Sequence, residues 1–510
     1  MLLLFVLIPG VAAMGEVRLP KILSSHMVVQ RDLPVHVWGW ADRGETVTVS
    51  FRGETRSTTA GELGRWSIYL KPGTAGGPFE MTVKSVPAIP VTAGDIAMTT
   101  KTITLSDVLV GDVWVASGQS NMEFSMGGAF GGATTAAEDL PKAGIPNIRM
   151  LIVKKQAIEY PKDDIDTDVW EGWTASTPET ARDFSAVAWY FAREVEQREH
   201  VPVGVIDSTW GGTLAEAWTR MEALGEDAAL APVFVEWGKM TEREETALLR
   251  DKDEQRQRDE AKAAGTPAPQ FPWHPQLKSW GPGMLWNGMI APLTPFPICG
   301  VIWYQGESNS ALARAPLYKR VFSTMIEDWR HEWGVGDFPF LFVQISSFKS
   351  NGSEGWAELR EQQLKTLELR NTAMAVTIDI GNPDDVHPKD KLDVGQRLAL
   401  AARALAYGED VSYSGPMFRQ ATPEGSAIRV WFDHHAKGLV AKDGDLTGFE
   451  VAGMDGKFVP ATAKIDGNTV VVTSDTVTEP RFVRYGWANV PQCNLFNGAG
   501  LPASPFTSAE

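Results

Sequence analysis

Apolar and polar positions alternate in short runs over the first part of this chain, and the period then changes. Between 15 and 105 the runs Pro34–Trp40, Thr46–Phe51, Trp66–Leu70 and Phe79–Val83 are rich in β-branched and aromatic residues. Turn-forming groups such as Ala41-Asp42-Arg43-Gly44 and Lys71-Pro72-Gly73 separate them, which predicts a small β-sandwich. From about 106, continuous apolar runs at 112–116, 203–207, 299–304, 339–345 and 374–380 read as buried strands. Between them Phe184, Val187, Ala188, Phe191, Ala192 and Val195 recur at helical spacing, and further helical stretches cover 312–332 and 391–407. Such alternation predicts an α/β fold, a mostly parallel, doubly wound sheet with helices on both faces.

Residues 221–280 interrupt that rhythm. Thr241 with Glu244 reads as a capping box opening a charged helix that runs to about Ala264, with Gly265 as its stop. The proline-rich run TPAPQFPWHP follows. Strand-like runs return at 427–432, 447–452, 468–473 and 481–487. The expected organisation is a leader at 1–13, a β domain at 14–105, an α/β domain at 106–410 with a helical insertion at 221–280, and a β region at 411–510.

A chain of 510 residues exceeds one core and calls for several domains. Its 43% hydrophobic and 22% charged content is that of a soluble globular protein. A net charge of −17 excludes the basic footprint of a nucleic-acid binder. The 19 tryptophans are a surplus, and rigid indoles such as Trp210, Trp286 and Trp303 suit the faces of sugars. Only Cys299 and Cys493 are present; they are expected to be free, buried thiols rather than a bridge. The start, MLLLFVLIPGVAAMG, carries an apolar run and then Val11-Ala12-Ala13. Although it lacks a basic beginning, it predicts a signal peptide cut after Ala13 and a secreted or periplasmic protein. That run is too short to span a membrane, and no other stretch is long and apolar enough.

The segment DVWVASGQSNM at 112–122 carries the chemistry. Val113, Trp114, Val115 and Ala116 read as a strand end, and Ser117-Gly118-Gln119-Ser120-Asn121-Met122 as a sharp turn into a helix. A serine there is exposed above the sheet edge among the free N–H groups of a helix start, which is how acyl transfer presents its nucleophile. Among eight histidines, only His387, in Ile380-Gly381-Asn382-Pro383-Asp384-Asp385-Val386-His387-Pro388, follows a predicted central strand. Elimination therefore makes it the candidate base. Asp384 and Asp385 precede it by three and two residues, so either could orient the ring. Ser208-Thr209-Trp210-Gly211-Gly212-Thr213 supplies glycines whose N–H groups can face an oxyanion, and Trp303-Tyr304-Gln305-Gly306-Glu307-Ser308-Asn309 offers amides of Gln305 or Asn309. Asp433-His434-His435 offers only local ligands for a metal.

In this order the blocks GQSNM, GG, WYQGESN and DDVHP resemble the GDSL/SGNH hydrolase superfamily, and more narrowly the sialate O-acetylesterase family of carbohydrate esterases. HMVVQRDLPVHVWGWA, NGMIAPL, VHPKDKLDVGQRLA and NLFNGAGLPASPF are similar to the same family, so the likeness spans most of 15–505 except about 225–280. It implies an SGNH-type, flavodoxin-like sheet, with Ser120 as nucleophile and His387 as general base. It also implies Gly212 and Gln305 as oxyanion donors beside the Ser120 N–H. The superfamily's acid falls on Asp384 and the family's on Asp385. The Gln-Gly-Glu pattern displaces the superfamily's third-block asparagine, Asn309.

Gln119, Asn121, Gly211 and Glu307 would support the site, while Trp210, Arg360 and neighbouring Trp356 would meet substrate, the arginine suiting a sialate carboxylate. The implied activity is removal of acetyl groups from the hydroxyls of an acetylated sugar or glycan, sialate or else xylan, with no metal or organic cofactor. The rival reading is a glycan-binding module without activity.

Overall fold

A computed structural model describes residues 17–88, 100–128, 131–167, 169–350 and 352–509. The expected leader at 1–13 lies outside them. In the amino-terminal part β2 (Val35–Trp40) pairs with β5 (Arg65–Leu70), while β3 (Thr46–Phe51) pairs with β4 (Glu54–Thr59) and β6 (Gly76–Val86). β2, β3 and β5 each alternate buried with less buried residues, as a sheet with one face on a core does.

The strand β7 (Lys101–Gly118) runs for 18 residues through both β systems. Its first part pairs with β6 and with the short β1 (Val28–Gln30), and its second part lies at the middle of the parallel sheet. The change of pattern at about 106 therefore falls inside one strand. From Val108 onward every residue of β7 is buried, because sheet neighbours and helices cover both of its faces.

The remaining strands of the large sheet are β8 (Ile145–Ile152), β9 (Thr174–Ser176), β10 (Val203–Thr209), β11 (Gly300–Tyr304), β12 (Phe340–Val343) and β13 (Thr372–Ala375). Their order is β13-β12-β11-β7-β10-β8-β9, parallel except for β9. The five strands β10-β7-β11-β12-β13 have the flavodoxin-like order 2-1-3-4-5, and β8 and β9 extend one edge. The chain reverses direction across the sheet at β7, so the loops leaving β7, β10 and β11 converge on one crevice.

Helices cover both faces. α2 (Ala186–Glu199) and α7 (Lys391–Leu405) share one apolar cluster with Trp114 and Val205. α5 (Tyr318–Trp333) packs Phe322, Met325 and Trp329 into the other, with Trp303 and Phe340, and α6 (Trp356–Lys365) adds Trp356 and Leu359. The run 374–380 leaves the sheet after Ala375, earlier than its hydrophobicity predicts. There the Val376 carbonyl accepts from Arg397, and the Thr377 hydroxyl donates to the Gln344 carbonyl.

In the interrupting segment, α3 (Ala231–Thr241) is followed by α4 (Glu244–Ala264), and Gly265 closes α4 in the left-handed region as expected. The capping box is absent. Thr241 ends α3, where its hydroxyl donates to the Gly238 carbonyl, and α4 starts after Arg243 without a side-chain cap. Only Glu254 of α4 is buried, so the charges lie on a solvated face.

The carboxyl-terminal part contains a four-stranded antiparallel sheet from Met417–Glu424, Ala427–Asp433, Thr462–Asp466 and Thr469–Thr473. A second sheet includes Phe449–Ala452 and Phe482–Tyr485, and a shared apolar core unites them. No helix among the described residues is long and apolar enough to cross a membrane. Cys299 and Cys493 are free, and both are partly rather than fully buried.

At the end of β7, Gly118 has φ +134, and a Cβ there would overlap the Tyr304 carbonyl. Gly118→Ala is expected to cost roughly 3 kcal/mol through strain and overlap. Gly225→Ala, at a helical glycine facing open space, should be neutral or slightly stabilising. Thermal unfolding of the two variants checks the contrast.

Candidate active site

Ser120 begins α1 (Ser120–Glu123), a single turn placed directly after β7. The reversal is short because Gly118 adopts its positive φ and the Gln119 N–H donates to the Tyr304 carbonyl at 3.0 Å. Ser120 is 9% exposed. As the first helical residue it has an N–H with no partner inside the helix. His387 comes from the loop between β13 and α7, and its Nε2 lies 2.8 Å from the Ser120 Oγ. The two residues are 267 positions apart in the chain.

The two neighbouring acids part company. Asp385 accepts the His387 backbone N–H at 2.9 Å and keeps an oxygen 3.7 Å from the ring Nδ1. Asp384 is turned outward, with its side chain 79% exposed and paired to Lys349. Burial, with the nearby Lys391 ammonium, holds the His387 imidazole below its usual value, while Asp385 and Glu123 oppose that shift. The ring is therefore poised in its neutral form, the form that can accept a serine proton.

The second loop passes beside the serine. A Cβ on Gly211 would stand 3.2 Å from the Ser120 Cβ, and the Gly211 N–H donates to Glu123 at 2.6 Å. Gly212 has φ +74. Its carbonyl accepts from the Trp280 indole at 2.7 Å. Its N–H, by contrast, is matched with no acceptor among the described residues.

Behind the serine lies a buried polar network centred on Asn121. Its amide donates to Glu307 at 2.6 Å and to the Val386 carbonyl at 3.0 Å, and its oxygen accepts from Lys391 at 2.6 Å. Gln119 accepts from the Ser308 N–H at 3.2 Å. Lys391 is fully buried against the rings of Phe124 and Tyr304. Burial pulls its pKa down to about 7 and pushes that of Glu307 up. Lys391 and Glu123 carry no motif of their own. The sign available in the sequence was a lysine four residues after the histidine, at the start of an apolar-faced helix.

A family profile described as "Carbohydrate esterase, sialic acid-specific acetylesterase" matches residues 274–404, which include the Gln305–Asn309 loop, His387 and Lys391. Sialate O-acetylesterase of Mus musculus is 30% identical over 96% of this chain and 94% of its own length. The Homo sapiens protein of the same name is 29% identical over 96% of this chain and 92% of its own. A carbohydrate acetylesterase structure from Xanthomonas citri superposes with a TM-score of 0.81 at 38% identity, over 97% of this chain and 100% of that one. The chain belongs to the sialate O-acetylesterase family. Membership makes it a carboxylic-ester hydrolase of the carbohydrate esterase type.

Several residues expected at the site of this family member are elsewhere. Gln305 is completely buried; its amide donates to the Thr213 carbonyl and to Asn309, and its oxygen accepts from Tyr318. With both hydrogens committed, it has none for an oxyanion. Asn309 is likewise engaged, donating to Glu216 and accepting from the Ala215 N–H. Arg360 is 0% exposed and donates to the carbonyls of Ile345, Ser346, Ala488 and Asn489. It ties the carboxyl-terminal region to the sheet.

Trp286, Trp303 and Trp356 are core, because each fills space that packing requires. Trp303, for example, lies among Trp218, Phe322 and Trp329. Trp210 is partly buried against the same core.

NMR titration of the His387 ring should give a midpoint below the ordinary 6.5. Lys391→Met should raise it, since no neighbouring cation then disfavours the imidazolium. Asp385→Asn should lower it further by removing the stabilising carboxylate.

Proposed function

We propose that this protein hydrolyses O-acetyl esters on the hydroxyls of a carbohydrate, with Ser120 as nucleophile and His387 as general base. The observation that carries the reading is the 2.8 Å approach of the His387 Nε2 to the Ser120 Oγ at the carboxyl edge of the parallel sheet. In the proposed cycle His387 takes the serine proton as Ser120 Oγ attacks the acetyl carbonyl. Negative charge collects on the carbonyl oxygen, within reach of the Ser120 and Gly212 N–H groups. Collapse expels the sugar oxygen, which leaves with the proton from His387. Water, deprotonated by the same imidazole, then releases acetate and restores the serine. Asp385 orients the ring and stabilises its charged form, and Asp384 takes no part.

An uncharged sugar suits the site better than sialate. The arginine that would pair with a sialate carboxylate, Arg360, is buried and spends four of its five donors on carbonyls. Carboxylates of Glu123 and Asp385 stand beside the glycine loop and the imidazole instead, the first of them paired with Lys155. The leader-like residues 1–13 support the companion proposal that the enzyme acts outside the cytoplasm.

Ser120→Ala should lower kcat/KM on a chromogenic acetate by about a thousandfold or more. Asp385→Ala should lower it by up to about ten-thousandfold, and Asp384→Ala should stay near wild type. A Ser120→Ala enzyme that keeps its rate overturns the nucleophile. The acid limb of the wild-type kcat/KM profile should fall below pH 6.5, the unperturbed imidazole value, because the base must be neutral to act. Rates on acetylated xylan oligomers should exceed those on 9-O-acetyl sialate, and the reverse order would overturn the preference for an uncharged sugar.

A further inference from the structure

Trp273 lies in the proline-rich segment after α4, and its side chain is 68% exposed. An isolated exposed aromatic is ordinary on a protein surface. This one is set apart by where it is held. A Cβ on Gly212 would overlap the Trp273 six-membered ring, so the indole rests directly against the loop that passes Ser120. Gly211 lies against the Ser120 side chain, and consecutive Cα atoms are about 3.8 Å apart, which keeps the indole within about 12 Å of the Ser120 Cβ.

The ring is also held in position from both sides in sequence. Phe271 lies under the Arg258 guanidinium at 5.0 Å, and the His274 Nε2 is 2.9 Å from Glu254. Both anchors belong to α4. Prolines 267, 269, 272 and 275 restrict the backbone around them. Trp280 closes the other end through its hydrogen bond to the Gly212 carbonyl, and Arg314 covers the Trp280 ring at 4.7 Å. A large apolar ring is thus left in water by a segment whose neighbours are fixed, so little ordering is left to occur when a ligand arrives. Between this segment and α4 is a cleft of about 590 Å3 in which Glu244, Asp251, Gln255 and Arg258 accompany the indole. A flat apolar face beside hydrogen-bonding side chains matches a pyranose, which has an apolar C–H face and an equatorial rim of hydroxyls.

We propose that Trp273 is a glycan-binding platform, on which a sugar ring of the chain whose acetyl group sits at Ser120 stacks. This rests on the carbohydrate reading of the preceding subsection. It assigns to the segment 221–280 the role of extending the site from a single acetylated residue to an oligosaccharide. Carboxylates (Glu244, Asp251, Glu254) and bases (Arg258, Lys278) share the cleft, and hydrogen-bonding groups of both signs suit an uncharged glycan.

The test compares acetylated xylohexaose, cellohexaose and mannohexaose with 4-nitrophenyl acetate. For at least one hexasaccharide, Trp273→Ala should lower the ratio of kcat/KM on the hexasaccharide to kcat/KM on the small ester about tenfold or more, chiefly through KM. Trp273→Tyr should restore most of that ratio, which a merely structural tryptophan would not allow. A ratio unchanged in Trp273→Ala for all three overturns the proposal. Titration of tryptophan fluorescence with the unacetylated hexasaccharides separates this failure from failure of the esterase reading. Saturable quenching present in the wild type and lost in Trp273→Ala supports the platform even if no ester is hydrolysed. No quenching of the wild type by any of the three overturns it.

Discussion

One carboxamide, that of Asn121, joins chain segments that reach the crevice from distant parts of the fold. Its two donors meet Glu307, after β11, and the Val386 carbonyl, next to His387, while its oxygen receives Lys391 from the start of α7. Because Asn121 is the residue after Ser120, any shift of these segments is felt at the serine. The network is fully buried at Asn121 and Lys391, where an unmatched amide or ammonium would cost several kcal/mol. That penalty narrows the allowed positions of His387 relative to Ser120 to the one in which all partners are met.

The same network sets the electrostatics. Lys391 sits close enough to the imidazole to disfavour its charged form, while Asp385 and Glu123 pull the other way. Burial is the largest influence on both His387 and Lys391, so closing the site is itself what tunes the imidazole. Around this centre the polar groups that look most reactive in the sequence, Gln305, Asn309 and Arg360, are spent on holding loops together. They satisfy carbonyls and amides that the sheet ends leave without partners.

Much of this was legible beforehand. The strand ends at Gly118, Thr209 and Tyr304 follow from continuous apolar runs, and a parallel sheet brings such ends to one edge. His387 stands out by elimination, because only one histidine follows a central strand. The misreadings have a common cause. The side chains of Gln305, Arg360 and Trp303 suggest what they can do, whereas burial decides what they do. The Thr241 capping box failed for a different reason, since Thr241 ends the preceding helix and its hydroxyl is used there.

The amino-acid sequence by itself determined the α/β alternation, the serine turn and the one histidine that follows a central strand, because these depend on local periodicity and on residue type. Tertiary structure alone decided that Asp385 rather than Asp384 faces the imidazole, although the two are adjacent. It alone decided that the Gly212 N–H is left unmatched while Gln305 is not, and that Trp273 reaches the catalytic loop across some sixty residues of chain. Side-chain direction and hydrogen-bond occupancy depend on which distant segments pack together, and neither is written in local sequence.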